Sequence, residues 1–236
     1  MGGYLKSFFY INDTDFLNEY IAYNFHSKHT NIDTIKIGVI GDSYALRQNY
    51  RRSLLLDICG DSIACPVVVR CAGLGGRSSD SLFINLNKKF KTIIEWEPNY
   101  CVVFGGTNDV FIQYNRKSQS YYAHNMIEIC KYLVNHDIIP IIVEIGDIRL
   151  TTTRFSRIFV PDYLQIKFAD TYRQALKDSL SSLNILESII FIPYDSYCKT
   201  RSDKFEDIVH LNDIGYIELD KEIASAVKKH LELSLN

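Results

Sequence analysis

The sequence predicts an α/β fold in which strands of a parallel sheet alternate with helices. Two patterns carry this expectation. Five apolar runs rich in β-branched residues, at 35–40, 67–71, 101–104, 138–145 and 189–192, are nearly continuous rather than alternating, as in strands covered on both faces. Helix-period stripes fill the intervals between them. Strands and helices in this alternation imply βαβ crossovers and place ligands at the carboxyl ends of the strands.

Residues 1–33 stand outside the alternation, and Phe16, Leu17, Tyr20, Ile21 and Phe25 predict an amphipathic helical extension packed on a main domain spanning 34–236. After the first strand, 44–58 reads as one helix. Leu164, Phe168, Tyr172, Leu176 and Leu180 form an i+4 stripe behind Pro161, which suits a first helical turn. Leu219, Ile223, Val227 and Leu231 repeat the device in a last helix, with Asn212 or Asp213 as its cap.

A chain of 236 residues suits one large domain able to bury about three quarters of its unfolded surface. With 26 basic and 28 acidic side chains the net charge is −2, and no Lys/Arg block marks a nucleic-acid footprint. The cysteines at 59, 65, 71, 101, 130 and 198 lack CxxC or Cys/His ligand spacing, so neither a metal nor another cofactor is expected. They read as free thiols in a reducing cytoplasm, a Cys59–Cys65 bridge being the lesser alternative. The first residues lack the pattern of an export signal, and no apolar run approaches the ~20 residues of a membrane helix. Stable membrane insertion is therefore not expected.

Four polar blocks follow the strand ends. Gly41-Asp42-Ser43 puts a serine at a strand-to-helix turn, where a backbone N–H also faces an anion. A serine hydroxyl needs a base to become a nucleophile and fixed donors to receive the oxyanion. Asp207 and His210, three apart before the last helix, supply a carboxylate to orient an imidazole and an imidazole to take the proton. Gly76 offers an unobstructed backbone N–H and Asn108 a side-chain amide, which with the N–H of Ser43 make three oxyanion donors. His26, His29, His124, His136 and His230 read as solvated. The competing reading of Ser43 is a plain helix cap. Gly73-Leu74-Gly75-Gly76-Arg77-Ser78 lacks the third glycine of a dinucleotide loop, and Gly41-Asp42-Ser43-Tyr44-Ala45 is not GxSxG.

These blocks resemble those of the SGNH hydrolases, also called GDSL esterases and lipases, over 35 to about 215. Tyr44 stands where that family usually has Leu, and Val209 where Gly or Ile often precedes the histidine. The resemblance implies a flavodoxin-like three-layer α/β/α sandwich around a five-stranded parallel sheet. It also implies metal-independent hydrolysis of an ester through Ser43, Asp207 and His210.

Substrate contacts are expected from loops over the strand ends. Asp42, Arg77 and Asp109 flank the blocks; Phe111, Tyr114, Tyr121 and Tyr122 suit a stacking wall; Arg149, Arg154 and Arg157 suit an anionic substrate or a solvated loop. No long apolar lid segment is evident, which disfavours long-chain fats. The expected partner is a small-molecule or glycan acyl ester, a carbohydrate O-acetyl group ranking first. Short-chain acyl esters, thioesters or lysophospholipids rank second, then O-acetyl transfer to a sugar. A non-enzymatic binding module has no need of all four blocks.

Overall fold

The computed structural model describes residues 18–22, 34–63, 66–110, 117–147, 162–182, 188–198, 204–207 and 209–234. Five strands, β2 (Ile35–Gly41), β3 (Val67–Gly73), β4 (Tyr100–Phe104), β5 (Ile139–Val143) and β6 (Ile190–Ile192), pair in parallel in the order β3-β2-β4-β5-β6. All five coincide with the apolar runs of the sequence. A sixth strand, β1 (Asn18–Ala22), pairs antiparallel with β3 on the outer edge, Tyr20 opposite Val69.

β1 corrects the helix expected over this stretch. Phe16, Leu17, Tyr20, Ile21 and Phe25 match a helical face, but the unpaired edge of β3 offers a full ladder to any short extended segment that reaches it. Phe16, Leu17 and Phe25 themselves lie outside the described residues.

Alternate residues of the strands feed two cores. Ile37, Val39, Val69, Val102 and Phe104 pack on one face beneath α1 (Ser43–Tyr50), α2 (Arg52–Ser62) and the last helix α9 (Asp213–Ser234). Ile40, Cys101, Val103 and Ile142 pack on the other beneath α3 (Ser79–Asn85), α4 (Lys91–Ile94), α6 (Gln119–Val134) and α7 (Asp162–Ser182). Burial on both faces explains why the strands read as continuous apolar runs. Tyr172, Leu176 and Leu180 of the α7 stripe and Leu219, Ile223 and Val227 of the α9 stripe are fully buried, as their spacing predicted. Asn212 caps α9, its side chain accepting from the Gly215 N–H at 3.0 Å.

The single helix expected at 44–58 is instead two. Arg51, at φ −108° and ψ 12°, leaves helical geometry, while its guanidinium pairs with Asp213 at 2.7 Å and lies 5.0 Å from the Tyr216 ring. Two short helices, α5 (Thr107–Val110) and α8 (Tyr194–Tyr197), follow β4 and β6.

Chain order reverses between β2 and β4: β3 lies on one side of β2, and β4, β5 and β6 on the other. That switch point opens a crevice at the carboxyl ends of the two strands. It is where Asp42-Ser43 leaves β2 and Thr107-Asn108 leaves β4.

Candidate active site

Gly41 ends β2 at φ +148°, and a Cβ there would sit 2.1 Å from the Phe104 carbonyl oxygen. Only glycine lets β2 turn so close to its neighbour. The Asp42 N–H then donates to that carbonyl at 3.1 Å, and the Asp42 carboxylate caps α1 by accepting from the Tyr44 N–H at 2.9 Å. Because Asp42 is the cap, the Ser43 hydroxyl is left for other work.

The Ser43 hydroxyl meets His210 Nε2 at 2.9 Å, and His210 Nδ1 meets Asp207 Oδ2 at 2.7 Å. In the tautomer these contacts require, Nδ1–H donates to the carboxylate and Nε2 accepts from the serine. The other Asp207 oxygen accepts from the backbone N–H groups of Val209 and His210 at 2.9 and 2.8 Å, a tight turn that explains the three-residue spacing. Burial alone would raise the Asp207 carboxyl, but His210 and the two N–H groups outweigh it and hold it down at about 2. The Tyr44 hydroxyl donates to the Val209 carbonyl, tying this turn to α1. His210 is buried, its ring centroid 5.8 Å from that of Tyr44.

Asn108 opens α5 with its amide donating to the Arg77 carbonyl at 2.9 Å; the same nitrogen lies 3.4 Å from Asp42 Oδ2. Asp109 fastens the two loops together, accepting from the Ser79 N–H at 2.9 Å and from its hydroxyl at 2.7 Å, while Asn125 donates to that hydroxyl at 3.1 Å. Gly76 sits in this loop at φ +71° with open space where a Cβ would point, so glycine answers a backbone need there. Gly76 and Arg77 are exposed at the rim.

Asp42 and Asp109, named above as substrate contacts, are both completely buried and bonded internally, so they face the frame of the site. Burial pushes the Asp42 carboxyl up to about 7, against the Tyr44 N–H and with help from Asp109; burial likewise pushes Asp109 up to about 6 against its Ser79 bonds. Tyr122 is also no stacking wall: it is fully buried, and its ring would collide with a Cβ on Gly106. Tyr121 remains half-exposed beside Asp80 and Lys117. Phe111, Tyr114, Arg149, Arg154 and Arg157 lie outside the described residues. His230 is bonded rather than simply solvated, its Nδ1 lying 3.0 Å from the Tyr100 hydroxyl and its ring edge-on to Tyr100.

Arg47 was not singled out from the sequence. It reaches from α1 to Glu206 at 2.5 Å and to Asp207 at 3.4 Å. Its signal was positional, since a residue four after Ser43 on a helix shares the serine's face.

Among the described residues no group of three His, Cys, Asp or Glu side chains could hold a metal ion, and Cys59, Cys71, Cys101, Cys130 and Cys198 are buried. Cys65 lies outside the described residues. No described helix is long and apolar enough to cross a membrane.

No protein-family model matches the chain, and no curated protein matches it by sequence. Its fold is nevertheless that of GDSL-type lipases and acylhydrolases. A GDSL-like lipase from Bacteroides thetaiotaomicron superposes with a TM-score of 0.60 at 17% identity, over 83% of this chain and 88% of that one. A lipase/acylhydrolase from Enterococcus faecalis gives 0.61 at 19% identity, over 83% and 96%. An acetylxylan esterase from Geobacillus stearothermophilus gives 0.59 at 16% identity, over 82% and 94%.

Proposed function

We propose that this protein is a metal-independent serine esterase that hydrolyses an O-acyl ester, with an O-acetyl group on a carbohydrate as the first-ranked substrate. The observation that carries the reading is the continuous chain from the Ser43 hydroxyl through both His210 nitrogens to Asp207, at 2.9 and 2.7 Å. In the proposed reaction His210 Nε2 takes the Ser43 proton as Oγ bonds to the ester carbonyl carbon. The carbonyl oxygen gathers negative charge opposite the Ser43 and Gly76 N–H groups and the Asn108 amide. His210 returns the proton to the departing alcohol, leaving an acyl group on Ser43. Water, deprotonated by His210, then bonds to the acyl carbon; the bond to Ser43 Oγ breaks, His210 returns the proton to Oγ, and the acid leaves. The carbohydrate preference is supported by acetylxylan esterases among proteins of this fold.

The test is turnover of a chromogenic acetyl ester and of acetylated glycans by the native chain and by Ser43→Ala, with a fluorophosphonate probe to trap the nucleophile. The expected result is turnover and labelling at Ser43, with kcat falling by several orders of magnitude in the folded variant. Labelling at Ser78 or Ser79 instead would overturn the assignment.

A further inference from the structure

We propose that Arg47 is a positioning residue for this site: its guanidinium forks between Glu206 and Asp207, fastens the base-bearing turn to the nucleophile's own helix, and shares with the imidazole the carboxylate oxygen that orients it. The inference rests on the esterase reading above.

Both Asp207 oxygens have partners without Arg47. Oδ1 accepts two backbone N–H groups, and Oδ2 accepts His210 Nδ1–H at 2.7 Å. Arg47 Nη2 approaches that same Oδ2 at 3.4 Å, a distance at which charge matters more than a hydrogen bond. Nη1 meanwhile holds Glu206 Oε2 at 2.5 Å. Arg47 thus spans consecutive carboxylates on the turn that carries the base, from the helix that begins at Ser43. Other side-chain ties on 204–210 include the Ser43 hydroxyl on His210 Nε2 at 2.9 Å, the Tyr44 hydroxyl on the Val209 carbonyl and Lys204 Nζ on the Tyr197 carbonyl at 3.1 Å.

The cation has a signed effect. A carboxylate opposite His210 favours the imidazolium, and a guanidinium beside that carboxylate offsets part of the attraction. The pair is partly exposed, with side-chain exposures of 24% and 29%, so solvent keeps the effect modest. Other charged and titratable groups face the same corner. These are Asp42 and Tyr44 on α1, the Arg51–Asp213 pair between α1 and α9, Tyr216 on α9, Lys204 and Glu206 on the turn, and Tyr197 on α8.

Because Asp42 can titrate in the same pH range, the imidazole is read directly. The His210 ring resonance is followed by proton NMR from pH 5 to 8, identified among the six histidines by its loss in His210→Ala. Native protein is compared with Arg47→Gln, Arg47→Lys and Glu206→Gln, alongside kcat and KM on a neutral acetyl ester. Arg47→Gln should move the resonance midpoint up, by more at low salt than at high salt. It should carry the acid limb of kcat/KM with it and lower kcat several-fold at unchanged KM. Arg47→Lys should return the midpoint while recovering only part of kcat, because an ammonium cannot fork across two carboxylates. Glu206→Gln should lower kcat less than Arg47→Gln. An unmoved midpoint in Arg47→Gln overturns the proposal, as does a change confined to KM, which would make Arg47 a substrate contact. Native protein inert toward every ester would defeat the esterase reading, while the NMR midpoint would still decide the Arg47 linkage.

Discussion

Asn108 has two amide protons and three candidate acceptors. One proton goes to the Arg77 carbonyl at 2.9 Å; the other can face Asp42, 3.4 Å away, or an oxyanion forming on a substrate. The long contact to Asp42 is the weaker claim, so charge developing in the transition state should win it. Asn108→Ala should therefore lower kcat by about 10²–10³ on a chromogenic ester with little change in KM. An undiminished kcat would remove Asn108 from the mechanism. At this scale the sequence was readable where a polar residue closely followed a strand end, as Ser43 and Asn108 do, or closely preceded the last helix, as Asp207 and His210 do. It was not readable where a role depends on depth. Asp42 and Asp109 have the composition of rim residues, and only the packing of β2, β4 and α3 around them makes them frame residues.

The contact between α1 and α9 rests on a buried polar pair as well as on apolar residues. Gln48 Nε2 donates to Asp220 Oδ1 at 2.9 Å, both side chains are fully buried, and Gln48 Oε1 and Asp220 Oδ2 have no partner among the described residues. Burial raises the Asp220 carboxyl well above its usual range, against the Gln48 bond and the charge of Arg51. A raised carboxyl stabilises the fold fully below its unfolded value near ~3.9, and that contribution drains away as pH rises toward the folded value. Asp220→Asn, neutral at every pH and able to pair reciprocally with the Gln48 amide, should raise Tm at pH 7 and lose that advantage near pH 4. Gln48→Leu should cost about 1–3 kcal/mol in a denaturation experiment, since it strands the Asp220 carboxyl. Elements with strong periodicity, such as α7 and α9, were legible because burial enforces the period. β1 was not: its apolar residues fit a helical face, and a sequence alone does not reveal that β3 would be left with an open edge. The break at Arg51 was hidden likewise, since its pull comes from Asp213 and Tyr216 at the far end of the chain.

For the molecule as a whole, several buried carboxyls give stability a slope with pH. Asp42 at about 7 and Asp109 at about 6 contribute fully below ~4, and their contribution declines as pH climbs through those values. Asp207, held near 2, works in the opposite sense: its contribution is present above ~4 and lost only as pH falls through about 2. Asp42→Asn, still a competent helix cap, should flatten the fall of Tm between pH 5 and 8 relative to native protein. The slope is the readout, because an amide set against the Asn108 amide adds a cost that pH does not alter. An unchanged slope would show that Asp42 does not take up a proton on folding.

Ser43 and His210 touch although 167 positions separate them, one leaving the first parallel strand and the other entering the last helix. During synthesis the serine, its N-terminal strand and most of the sheet emerge well before the base does. A ribosome-bound chain that stops short of His210 carries the serine without the base proposed for it. On the proposed mechanism a nascent chain therefore stays inert toward esters until residues 207–210 have emerged and packed against α1.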